Sequence, residues 1–148
     1  MDKKKIKLII EIVLFVGALG ALTFAYYFSG NDTPSMEEMA EVGIVKITDD
    51  NFEAEVKNAD KPVILEFFSN SCPPCLTMIP TMINIAKNYD DVKVATVNSS
   101  EDDTKKIVEE YDISAYPTII IFKDGSVQKA FMGATSEENI MKEINGEN

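Results

Sequence analysis

Two cysteines occur in the 148 residues, three positions apart, as Ser71-Cys72-Pro73-Pro74-Cys75-Leu76. Three chemistries compete for that spacing. A structural staple gains little, because cross-linking so short a loop stabilises by only about 2 kcal/mol, against roughly 4.7 for a long one. A zinc site needs about four Cys or His ligands; with two thiols and no His, metal would require a dimer sharing the ion. A redox dithiol needs what is present, two thiols one helical turn apart where a helix begins. The residues favour this third reading.

Its mechanism follows from position. Cys72 falls at the expected helix N-cap, where free backbone N–H groups and the positive helix end favour a thiolate, so its pKa is expected below that of an ordinary thiol. Pro73 suits the first helical position because its missing N–H would be unpaired there. Pro74 also lacks an N–H, and the two prolines stiffen the loop. Cys72, nearer the surface, is expected to attack a substrate disulfide; Cys75, one turn inward, then attacks Cys72 and releases reduced substrate. Run backward, the same pair oxidises a dithiol.

Composition removes other functions. There is no His, Arg or Trp, so a Ser-His-Asp or Cys-His hydrolase and an Arg clamp on phosphate or guanine are excluded. The net charge of −11 repels polyanions, and no nucleic-acid partner is expected.

Alternating patterns must position the dithiol. Strand-like runs lie at 43–47, 62–68, 92–98, 117–123 and 126–132, the last two flanking Asp124-Gly125, a strong hairpin signal. Helical spacing links Phe52 with Val56, and Leu76, Ile79, Ile83 and Ala86 over 75–89, where Pro80 predicts a kink. Ser100 with Asp103, and Thr135 with Glu138, read as capping pairs for helices ending near Tyr111 and Ile144. The order β-α-β-α-β-α-β-β-α implies an α/β fold, a central mixed sheet with helices on both faces.

Ahead of this body, residues 1–5 form a basic tip and 6–28 an apolar stretch. As a helix the stretch would be about 34 Å long, enough to cross a hydrocarbon core of about 30 Å. Four Lys against two acids precede residue 29, whereas ten Lys and 23 acids follow. The positive-inside rule then places the N-terminus in the cytoplasm and the body outside. A cleaved signal peptide, releasing the body as a secreted protein, is the rival. Residues 29–42 read as a polar linker, in which Met36, Met39 and Ala40 form a short amphipathic turn, and 43–148 as the globular domain.

From Gly43 to about Asn145 the chain resembles thioredoxin, through ITDDNFEAEV, PVILEFFSNSCPPC, VNSSED, EEYDISAYPTIIIFKDGS and FMGATSEEN. The resemblance implies a thioredoxin fold and thiol–disulfide exchange with protein substrates, with no cofactor or metal. It implies a cis peptide at Pro117, facing the dithiol and aligning an incoming peptide together with Tyr116, and a groove lined by Gly133. It also implies that Glu66, standing where the family has Asp, shuttles a proton for Cys75; an acid within PVILEFF is expected to be buried, with its pKa raised. Three positions depart from the family: Thr96 stands for a lysine near the acid, Ser71 for the Trp before the first Cys, and Phe68 for another Trp. Together these features favour a membrane-tethered reductase fed by a membrane dithiol donor. The alternatives are the oxidase direction and a non-catalytic binding or chaperone-like module.

Overall fold

The computed structural model describes residues 36–146, together with Gly17 and Gly20. In chain order the elements are helix α1 (Met36–Glu41), strand β1 (Val45–Lys46), a π-type turn (Glu53–Lys57), β2 (Val63–Phe68), α2 (Pro73–Leu76), α3 (Ile79–Asn88), β3 (Lys93–Asn98), a 3-10 turn (Asp102–Thr104), α4 (Lys105–Glu110), β4 (Thr118–Lys123), β5 (Ser126–Met132) and α5 (Glu137–Asn145). The sheet order is β1-β3-β2-β4-β5. β1 and β2 run parallel to β3, whereas β4 is antiparallel to both β2 and β5. The mixed sheet inferred from sequence is therefore present.

Central β2 explains its own composition. Five of its six residues are buried, because alternate side chains enter two different cores. Ile64 joins Met78, Met82, Ile119 and Ile140 beneath α1, α3 and α5. Leu65 and Phe67 join Phe52, Ile107 and Phe122 on the other face. The hairpin closes through Asp124 and Gly125, both at positive φ (52° and 71°), as a two-residue turn of this kind requires. A Cβ on Gly125 would also stand 2.5 Å from the Lys57 carbonyl oxygen.

The structure corrects four local readings. Residues 75–89 do not form one kinked helix: the Thr77 and Met78 N–H groups tighten onto the carbonyls of Pro74 and Cys75 (3.1 and 3.0 Å), and α3 starts afresh. Pro80 has no N–H to offer the Leu76 carbonyl, so an unbroken ladder is impossible there. Ser100 and Asp103 cap nothing; the Ser100 hydroxyl accepts from the Asn70 N–H (3.0 Å). The Asp49 carboxylate instead receives the N–H groups of Lys106 and Ile107 (3.2 and 3.1 Å) at the start of α4. Ser136, not Thr135, caps α5, accepting from the Asn139 N–H (3.3 Å), while the Thr135 hydroxyl accepts from the Asn139 amide. The first strand pairs over Val45–Lys46 only, a short edge.

Residues 36–41, read within the linker, form α1, whose Met39 is buried in the core. Among the described residues no helix is long and apolar enough to cross a membrane. The span expected over 6–28 lies outside them, except for Gly17 and Gly20.

Candidate active site

β2 ends at Phe68 and the chain turns through Ser69, Asn70 and Ser71 into Cys72. This turn is tied to the end of β3. The Phe68 carbonyl accepts from the Ser99 N–H (2.8 Å), and Asn98 Nδ2 donates to Asn70 Oδ1 and Glu101 Oε1 (both 3.1 Å). Glu101 is in turn paired with Lys46 from β1 (2.5 Å). The VNSSED segment thus braces the loop that presents the dithiol.

Cys72 occupies the N-cap of α2, as the sequence predicts, with Pro73 and Pro74 in the first two helical positions. Neither proline carries an N–H. The next amide, that of Cys75, donates to Cys72 Sγ (3.2 Å), so the turn aims its first available N–H at that sulfur. The same N–H also reaches the Cys72 carbonyl (3.1 Å), and α2 is only four residues long. The two cysteines are joined as a disulfide. Cys72 is half-buried; Cys75 is 5% exposed.

Behind the disulfide lies a pocket of about 380 Å³ whose lining includes Cys72, Pro73, Cys75, Glu66, Phe68 and Met39. Glu66 is 2% exposed, opposite Thr96 on β3 and Ile119 on β4. No hydrogen bond or ion pair engages its carboxyl among the described residues, and burial pushes its pKa up to about 8. Thr96 brings no charge to offset that burial.

Tyr116, Pro117 and Gly133 do not line this pocket. Their placement comes from the sheet. The Phe67↔Thr118 register carries the start of β4 to the same sheet end as the exit from β2. The Tyr116–Pro117 peptide is cis and Pro117 is buried. The Pro117 carbonyl accepts from the Gly133 N–H (2.7 Å). Gly133 has φ 89° with open space where a Cβ would stand, so backbone conformation and not crowding selects glycine. Pro74 is exposed. Two contributors escaped the sequence reading. Met39 lies in the segment read as a linker, and Leu76, 62% exposed directly after Cys75, in the run read as one helix over 75–89.

A half-buried and a buried cysteine, bonded at the N-terminus of a helix that follows a central strand, with a cis-proline turn at the same sheet end, define a dithiol–disulfide exchange protein. The thioredoxin family model matches residues 43–146. Thioredoxin of Mycolicibacterium smegmatis is 31% identical over 68% of this chain and 90% of its own length. That of Pseudomonas aeruginosa is 33% identical over 66% and 89%. The short form of spinach chloroplast thioredoxin f superposes with a TM-score of 0.63 at 30% identity, covering 70% of this chain and 91% of its own. The chain belongs to the thioredoxin family; with its CPPC pair it is a thiol–disulfide oxidoreductase, and protein thiols or disulfides are its substrate class.

Proposed function

We propose that the protein is a membrane-tethered, extracytoplasmic reductase of protein disulfides. The carrying observation is the asymmetry of the pair: one sulfur within reach of a partner, the other buried beside Glu66. In the reduced state the Cys72 thiolate attacks one sulfur of a substrate disulfide. A Cys72–substrate bond forms, and the substrate's other sulfur leaves as a thiolate. In molecules whose Glu66 carboxyl is ionised, a minority below about pH 8, Cys75 gives its proton to that carboxylate and attacks Cys72 Sγ. The intramolecular disulfide forms and the second substrate sulfur is released, so the substrate gains two electrons that the protein loses. Tyr116, Pro117 and Gly133 align the incoming peptide, while Pro73 and Pro74 hold the turn. Tethering rests on the basic tip and the apolar stretch 6–28, and an outward-facing reductase draws its electrons from a membrane dithiol donor.

The test expresses the full chain carrying Cys75→Ala in intact cells. Mixed disulfides through Cys72 are expected in the membrane fraction, cleavable by protease added outside, and absent when Cys72→Ser is added. A chain that traps nothing is a passive binder; trapped species in the soluble extracellular fraction mean a cleaved signal. The potential of the parent dithiol then decides direction, near −270 mV for a reductase and near −120 mV for an oxidant.

A further inference from the structure

Helix α1 precedes the family-matched residues 43–146, yet it reaches the pocket behind the disulfide. Its Met39 is 3% exposed and shares the pocket wall with Glu66, Phe68, Cys75 and Ile79. Two contacts near its middle fasten the helix. Glu38 pairs with Lys87 of α3 (3.3 Å), and the Met39 carbonyl accepts from the Ile44 N–H (3.0 Å) as the chain turns toward β1. The thioether is therefore held against the pocket by secondary structure that the matched region does not contain.

The surroundings of Glu66 make this wall consequential. From β3 and β4 it faces Thr96 and Ile119. From α2 it faces the Cys72–Cys75 disulfide, which in this oxidised state does not titrate; α1 and α3 contribute Met39 and Ile79 to the lining. The acid of α1 nearest Met39, Glu38, is engaged with Lys87. With no counter-charge in the lining, access of water is what governs ionisation of Glu66.

We propose that Met39 is a positioning residue for proton transfer at Cys75, closing the α1 side of the pocket and so limiting how much water reaches the Glu66 carboxyl. This rests on Glu66 being the proton partner of Cys75. Shortening Met39 widens the pocket and solvates the acid further, whereas a side chain of equal volume leaves its hydration unchanged.

The experiment follows the Glu66 side-chain carboxyl by carbon NMR in the oxidised full chain, its signal assigned by loss in Glu66→Gln. In Met39→Ala the titration midpoint is expected to fall by about one pH unit or more, while Met39→Leu keeps the parent midpoint. Met39→Gln, similar in length but polar, serves if the alanine variant does not fold, and is expected to lower the midpoint in the same direction. An unchanged midpoint in a folded Met39→Ala or Met39→Gln protein overturns the proposal. So does a midpoint that moves while the pH dependence of mixed-disulfide resolution by Cys75 stays in place. The titration is read without turnover, so its failure is distinct from failure of the exchange reading, which the Cys75→Ala trap decides.

Discussion

The two faces of the sheet both bury Ile and Val side chains but differ in what fills the gaps between them. Beneath α1, α3 and α5 the filler is methionine: Met39, Met78, Met82 and Met141. The opposite face uses rings. Phe52 and Phe122 stand 6.0 Å apart in an edge-on pair, and Tyr111 packs against both at 5.6 and 5.5 Å. Aromatic clusters are stiff and directional, whereas an unbranched thioether adapts to irregular space. The adaptable face borders the reacting pocket, and the stiff one supports the sheet from behind. On this division, adjustment during exchange is expected on the methionine face, with the aromatic face as the stiffer support.

Substitutions can break this division. Phe122→Ala carries the largest expected effect. It should destabilise by about 3–5 kcal/mol in denaturant unfolding, leaving exchange per folded molecule unchanged; a parallel loss of activity would mean the faces are coupled. Next comes Glu66, on the site side. The folded protein keeps this proton up to about pH 8, whereas the unfolded chain releases it near the model value of 4.5. Across that window the folded state holds more protons, so stability falls as pH rises and levels off above about 8. Glu66→Gln should remove this slope, changing the stability gap between the two proteins by an amount on the order of a few kcal/mol over the window. Parallel curves would show that burial does not govern the carboxyl. The smallest effect is expected for Asp49→Ala, which leaves two N–H groups at the start of α4 without their acceptor. It should cost about 1 kcal/mol, visible as faster amide exchange confined to α4 on the aromatic side.

What could be read in advance was whatever depends on local chemistry. The apolar runs named the strands because both faces of β2 are covered, and Asp124-Gly125 announced a turn that only positive φ can make. Cys72 as N-cap, and the burial and upward shift of Glu66, followed from a helix start and an acid inside an apolar strand. The cis bond before Pro117 came from resemblance, since a trans turn proline would look identical in sequence. Spacing was silent where partners are distant. Asp49 caps a helix more than fifty residues away. Ser100 accepts from a loop across the sheet rather than from its own helix. Thr135 sits one residue before the cap, its N–H directed at Met78 Sδ (3.4 Å) and its hydroxyl accepting from the Asn139 side chain. Met39, lying before the matched region, carried no sign that its side chain would reach a pocket built by β2 and α2.

The contact of Gly125 with the Lys57 carbonyl has a practical side. Tight turns between strands are often the place where a peptide tag or an added domain is spliced with least disturbance. Here the tip abuts the backbone of the 53–57 turn, with no room for even one added carbon. Grafts at this corner would prise the hairpin off the turn, so fusion partners and epitope labels belong elsewhere on the molecule.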